Sequence, residues 1–309
     1  MKKTLLWLLV ITMCLVGVSF SPLAAAKEKM KFVFIVKGMQ HPFWQRMIEG
    51  AKEAGRDLGI EIEGTAPVKP YDVEEQIRIM ENAIIQQVDG IIVVPADSRG
   101  IVPGIEKANE AGILVGLSNT KAEGGEVVGW AGASNFSAAY EVAKYLIDKM
   151  GNKGNLIILE GTPGNQTATD RKAGFDAAVS ESNVTVLASQ TANFVYEDGL
   201  QVMENLLQQF DDIDAVIAAN DPMAIGAIEA MDAAGRLAGV LVGGFNGDAD
   251  AIEAIKMGRM IVTTAQVPEA QAYWAVLQVH MALKGYPVSK EIDVPTAMIT
   301  AENVDQWLD

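Results

Sequence analysis

Short runs rich in Val and Ile recur along the chain, each followed by a longer stretch with the period of a helix. The first such pair is Phe32 to Val36 and then Phe43 to Leu58. Further runs are Ile60 to Glu63, Gly90 to Val94, Ile113 to Leu117, Val127 to Trp130, Asn155 to Leu159, Val184 to Ser189, Ala215 to Ala218, Val240 to Gly244 and Ile261 to Ala265. Strands that are apolar on both faces need cover on both faces. A helix between successive runs returns the chain to the same edge of a sheet, so the strands lie parallel. The pattern predicts an α/β, doubly wound fold.

An internal repeat sharpens this. Residues 80 to 97 read MENAIIQQVDGIIVVPAD and residues 203 to 221 read MENLLQQFDDIDAVIAAND, a helix ending in Gln-Gln, then a similar strand and a closing Asp. The segment Ala111-Gly112-Ile113-Leu114-Val115-Gly116 is matched by Ala238-Gly239-Val240-Leu241-Val242-Gly243. Because the spacing stays nearly constant between the two matches, the expectation is two similar lobes. In parallel sheets ligands bind beyond the carboxyl ends of the strands. Two facing lobes would therefore line a cleft with the loops after Val36, Leu117, Leu159, Ala219 and Gly244.

The N-terminal segment stands outside that pattern. Lys2 and Lys3 precede an apolar stretch from Leu5 to Phe20, then Ser21-Pro22 and Ala24-Ala25-Ala26. This order is that of a secretory signal peptide, with cleavage expected after Ala26; an uncleaved anchor is the alternative. Cys14 follows Met13 rather than a small residue, which argues against a lipid anchor, and no Cys occurs after it. Neither disulfides nor thiolate metal sites are expected in the mature chain. With 40 Asp plus Glu against 24 Lys plus Arg, the field of the molecule repels phosphate, and nucleic acid is not an expected partner.

Several chemistries lack their signatures. There is no G-x-x-x-x-G-K-[ST] loop, no G-x-G-x-x-G fingerprint and no G-x-S-x-G elbow. The two histidines, His41 and His280, stand far apart, so no zinc site of the usual type assembles. No cofactor, no metal and no catalytic residue are expected.

Lys37-Gly38-Met39-Gln40-His41-Pro42-Phe43-Trp44 is a polar loop that ends in two aromatics as a helix begins. Aromatic faces cover the C–H faces of sugars while polar groups on the same turn fix hydroxyls. Pro42 is explained by the helix start alone. Phe43 and Trp44 are equally compatible with a helix face packed in the core.

This loop resembles the periplasmic ribose-binding protein family of sugar ABC transporters, the type I periplasmic binding proteins. The resemblance extends over the whole mature chain through Asn-Asp-Pro-Met-Ala-Ile-Gly-Ala at 220 to 227, Gly-Phe-Asn-Gly at 244 to 247, Ala-Gln-Val-Pro at 265 to 268, and Ala188-Ser189-Gln190 leading to Phe194. It implies three hinge crossings near Ala133, Ala265 and Val294. One lobe would then hold residues 27–133 plus 266–294, and the other 134–265 plus 295–309. It also implies a ligand held by Lys37, His41, Phe43, Trp44, Phe194, Asn220 and Gln266. Ser118-Asn119 stands where the ribose pattern has an Asp-Arg pair, Asn246 replaces an aspartate, and an expected arginine aligns with Thr169 or, after a register slip, with Arg171. Neutral groups thus replace charged ones, which argues against ribose itself, since charge-assisted hydrogen bonds are roughly twice as strong as neutral ones. Lys37 is the converse case and needs an acid such as Asp97 or Asp221, or the ligand, to face it.

The resemblance implies a monomeric periplasmic receptor that takes a monosaccharide or sugar alcohol to an inner-membrane ABC transporter permease and is compatible with signalling through a chemotaxis receptor. A receptor for a sugar acid or an autoinducer-like polyol is the nearest alternative. A repressor-type ligand-sensing core and an exported sugar-modifying enzyme are the alternatives from other classes.

Overall fold

The computed structural model describes residues 29–307. The expected signal peptide lies outside them. Along the chain come β1 (Lys31–Ile35), α1 (Pro42–Leu58), β2 (Glu61–Thr65), α2 (Val73–Ile85), β3 (Gly90–Val93), α3 (Val102–Glu110), β4 (Leu114–Ser118) and β5 (Trp130–Gly132). Then follow α4 (Asn135–Lys149), β6 (Lys153–Glu160), α5 (Gln166–Ser180), β7 (Asn183–Thr191), α6 (Tyr196–Leu207), β8 (Ala215–Ala218), α7 (Asp221–Ala233), β9 (Leu241–Gly243), α8 (Ala249–Lys256) and β10 (Val262–Ala265). Last among the described residues come α9 (Pro268–Leu283), β11 (Glu291–Asp293), β12 (Ala297–Thr300) and a short 3-10 helix (Val304–Trp307).

The strands form two six-stranded sheets, ordered β11-β5-β4-β3-β1-β2 and β12-β10-β9-β8-β6-β7. The repeat is legible in that order, since β1 to β5 take the same places in the first sheet as β6 to β10 take in the second. Alternation within β1 shows why both faces must be apolar. Phe32 and Phe34 pack with Met47 of α1 and Val276 of α9, while Val33 and Ile35 pack with Met80 of α2 and Ile105 of α3.

Three connections pass between the sheets, from β5 into α4, from β10 into α9, and from β11 into β12. Each of the first two hands a helix across, so that α4 packs on β8, β9 and β10 while α9 packs on β3, β4 and β5.

The strand expected at Val127 to Trp130 begins only at Trp130. Val128 is buried in the core under α9, but Gln278 and the Ser289 carbonyl crowd Gly129. Backbone bonds to β4 begin earlier, from the Val128 amide to the Val115 carbonyl and from the Leu117 amide to the Gly129 carbonyl, so the apolar run reports the approach to the ladder as well as burial. The short β11 and β12 escape the pattern because they are brief, partly polar, and separated by Pro295. Alone among the sheet pairings, β12 is antiparallel to its neighbour, β10.

Candidate functional site

Side chains from the carboxyl ends of both sheets converge on a hollow of about 370 Å³, at the lower end of the roughly 300–1,000 Å³ usual for small-molecule sites. The loop after β1 supplies one wall. His41 caps α1, its Nδ1 accepting from the Phe43 amide at 3.1 Å, and Pro42 begins the helix. The cap turns Phe43 and Trp44 inward, edge to face at 4.9 Å between ring centres. Both are core residues, and both also line the hollow.

Beside them lies Lys37, 2% exposed, whose Nζ donates to Thr120 Oγ1 at 2.7 Å and sits 5.3 Å from the Trp44 ring centre. Neither acid expected to face it does so. Asp221 accepts from the Thr263 hydroxyl and the Asp248 amide, and Asp97 accepts from the amides of Arg99 and Gly100. Among the described residues Lys37 has no carboxylate partner. Burial, and then the nearby Arg171 charge, pull its ammonium well below the ordinary lysine value.

The opposite wall comes from the second sheet. Thr167 and Arg171 lie one turn apart on α5 and face the hollow together. Arg171 donates through Nε to Asn135 Oδ1 at 2.9 Å and through Nη1 to the Ala219 carbonyl at 2.7 Å, and its guanidinium lies 3.7 Å from the Phe245 ring centre. Burial lowers its pKa, and Asp221 partly opposes the shift. Asn220 caps α7 by accepting from the Met223 amide and donates to the Phe194 carbonyl, which fixes that ring against the hollow. Asn246 Oδ1 accepts from Gln266 Nε2 at 2.7 Å, and Asn246 Nδ2 donates to Asp248 at 2.8 Å. Behind these amides, Asp221 and Asp248 are both raised above the ordinary carboxylate value, by burial first.

Lys37, His41, Phe43, Trp44, Asn119, Arg171, Phe194, Asn220, Asn246 and Gln266 all line the hollow. Ser118 and Thr169 do not. Ser118 closes β4 with its hydroxyl buried and without a partner among the described residues, and Thr169 sits off the face shared by Thr167 and Arg171, directing its hydroxyl toward the Asn165 carbonyl at 3.4 Å. Of the two registers open for α5, Arg171 is the one that meets the hollow.

Tyr71, Thr167, Gln40 and Tyr196 line it as well and were not expected. Tyr71 lies on the loop after β2, the edge strand of the first sheet. Its ring stacks on Phe194 from the other lobe, with 6.3 Å between centres. Tyr71, Asn119, Phe194 and Asn246 all have positive φ. Such backbone is uncommon outside glycine and gathers at functional sites, held there by its surroundings.

The lobes touch around the hollow. Thr120 and Thr167 hydroxyls meet at 3.0 Å, the Ser98 amide donates to the Gly164 carbonyl, Asn165 donates to the carbonyls of Pro95 and Ala96, and His41 Nε2 lies 3.5 Å from Asp248. A ligand seated here would be enclosed on both sides. Among the described residues no three His, Cys, Asp or Glu side chains are grouped to hold a metal ion, and no helix is long and apolar enough to cross a membrane.

The model of the periplasmic binding protein domain matches residues 32–287. A ribose import binding protein of Bacillus subtilis is 32% identical over 274 residues, 89% of this chain and 88% of that one. A periplasmic solute-binding protein of an ABC transporter from Actinobacillus succinogenes, solved with bound D-allose, superposes with a TM-score of 0.85 at 31% identity, over 90% of this chain and all of that one. An ABC transporter solute-binding protein from Bacillus halodurans, solved with bound myo-inositol, gives 0.83 at 28% identity, over 91% and 98%. The matched fold, with its paired sheets and the hollow between them, places this chain in the periplasmic binding protein family.

Proposed function

We propose that this protein is an exported receptor that captures a monosaccharide or sugar alcohol between its lobes and delivers it to the permease of an ABC transporter. The observation that carries this is the convergence, on one enclosed hollow, of aromatic rings and side-chain amides from both sheets. Trp44, Phe43, Tyr71 and Phe194 would cover C–H faces, and Asn119, Asn220, Asn246 and Gln266 would bond hydroxyls. Similar proteins solved with D-allose and myo-inositol support the class of ligand.

Binding needs no bond-making. A ligand that touches both lobes favours the closed form by its differential affinity, and the permease would read that shape. Asp221 and Asp248 are held behind the wall by Thr263, Asn246 and backbone amides. Of the titratable groups that line the hollow, Lys37, His41 and Glu197 among them, His41 is committed to capping α1 and Glu197 is exposed. The same proposal includes cleavage after Ala26, the lobe boundaries 27–133 plus 266–294 and 134–265 plus 295–309, action as a monomer in the periplasm, and room for a chemotaxis receptor to recognise the closed form.

Isothermal titration of the mature chain with pentoses, hexoses, polyols and the corresponding sugar acids tests the reading. At least one should bind with a dissociation constant near or below about 10 μM, about 7 kcal/mol of binding free energy. The absence of heat with every member would overturn it.

A further inference from the structure

The charges around the hollow are unequal in a way that neutral sugars do not explain. Lys37 and Arg171 are 2% and 3% exposed, and both face the cavity. They flank the cross-lobe stack, Lys37 Nζ lying 6.0 Å from the Tyr71 ring centre and Arg171 Cζ 5.7 Å from that of Phe194. Lys37 has the Thr120 hydroxyl as its hydrogen-bond partner. Arg171 uses Nε and Nη1 on the protein, and among the described residues its Nη2 has no partner. The other polar groups in contact with the space are amides, hydroxyls and the His41 imidazole, whose Nε2 lies 3.5 Å from Asp248, and the carboxylate that lines it, Glu197, is exposed.

Four helices of 12 to 17 residues, α1, α5, α6 and α7, also begin at this cavity, with His41, Thr167, Tyr196 and Asn220 in its wall. The positive ends of their dipoles add to the field of the two cations, although the first-turn amides of Phe43 and Met223 are already capped, by His41 and Asn220. The opposing charges are Asp221 and Asp248, which stand behind the wall and are engaged by Thr263, Asn246 and backbone donors. A buried cation left beside hydroxyls alone is costly to desolvate, whereas a ligand anion pairs with it.

Resting on the reading of the cavity as a sugar site, we propose that its ligand is a sugar acid, a polyhydroxylated chain or ring bearing one carboxylate held between Lys37 and Arg171. A single negative charge suits two cations already partly balanced by the acids behind Arg171. A doubly charged phosphate ester would leave an excess that no further cation in the wall answers.

The test is calorimetry on the mature chain with matched pairs: D-ribose and D-ribonate, D-glucose and D-gluconate, D-galactose and D-galacturonate, xylitol and D-xylonate. In at least one pair the acid should bind at least about tenfold tighter. Its affinity should fall as sodium chloride is raised from about 50 to about 500 mM, while that of the neutral partner holds. Lys37→Met, checked for folding by its thermal transition, should bring the acid-to-neutral ratio close to one; if that variant does not fold, Lys37→Gln takes its place. Neutral members binding as tightly as or tighter than their acids in every pair would overturn the proposal and leave the sugar-receptor reading standing. Tighter binding of ribose 5-phosphate or glucose 6-phosphate than of any acid would overturn the choice of carboxylate. Heat from no sugar of either kind would overturn both readings.

Discussion

The two walls of the hollow hold their charged groups in different ways. On the second-sheet side almost every group is tied to another: Arg171 to Asn135 and Ala219, Asn220 to Met223 and Phe194, Asp221 to Thr263 and Asp248, Asn246 to Asp248 and Gln266. On the first-sheet side Asn119 is tied to Gln271 at 3.0 Å, but the buried cation, Lys37, rests on the Thr120 hydroxyl and otherwise meets aromatic faces. Duplication gave both lobes the same strand order, yet the loops at the strand ends diverged. One wall became a preorganised network. The other became an aromatic surface carrying a charge that its own protein does not neutralise. Stability should therefore depend on the first kind of wall and ligand choice on the second.

The largest expected effect sets one wall directly against the other. Asp221→Ala leaves the Thr263 hydroxyl and the Asp248 amide without their acceptor inside the protein, at a cost of about 2–4 kcal/mol. Lys37→Met replaces a buried, unpaired ammonium with an apolar chain of similar length and should leave stability unchanged or slightly raised. Urea unfolding monitored by circular dichroism gives both numbers. Equal losses in the two variants would erase the distinction between the walls.

This asymmetry was only half legible in the sequence. The alternation of apolar runs and helical stretches gave the α/β class, and the Met80 and Met203 segments gave the duplication, because burial on both faces of a parallel strand leaves its mark on every residue. Topology marks the loops at the strand ends, while the resemblance to the ribose-binding pattern singles out Asn119, Asn220, Asn246 and Gln266. Tyr71 was not found, since a half-buried ring on a loop after an edge strand leaves no period, and its positive φ is invisible in the residue type. Nor could the sequence supply the partner of Lys37. Several acids were available along the chain, and which of them is consumed by Thr263 or by backbone amides is settled by packing alone. The choice between Thr169 and Arg171 likewise turned on the rotation of α5, which a weakly amphipathic segment does not announce.

A smaller effect is expected where the walls meet. Tyr71 and Phe194 stack across the hollow from different lobes, and such aromatic pairs contribute about 0.5–1.5 kcal/mol beyond their area. Tyr71→Ala removes that contact from the closed form only. Its unfolding free energy should change by less than that of Asp221→Ala, while the dissociation constant for the tightest sugar of the calorimetric panel rises by about three- to tenfold. Tyr71→Phe keeps the ring and should retain most of the affinity. An unchanged affinity in Tyr71→Ala would show that the first-sheet wall does not contribute to closure in this way.

The smallest effect is one of sign, and it separates the walls by their response to protons. Burial raises Asp221 and Asp248 above the ordinary carboxylate value of 3.8, so the folded protein holds a proton there more readily than the unfolded chain does. The stability this contributes is fully present below the unfolded value and is lost as pH rises through the folded one. Lys37 works the other way. Its folded value lies well below 10.5, so its contribution is present above 10.5 and is lost as pH falls through the folded value. His41 is also lowered by burial and lies 3.5 Å from Asp248, so the measurement belongs in a His41→Asn background, which keeps a side-chain acceptor for the Phe43 amide. In that background Asp248→Asn should flatten the loss of stability between about pH 4 and pH 7, the interval from the ordinary carboxylate value to the raised value of about 7, a difference on the order of 1 kcal/mol. Lys37→Met should instead flatten a gain on the alkaline side. Slopes of the same sign in the two variants would mean that the acid network and the lone cation are not the separate elements their contacts describe.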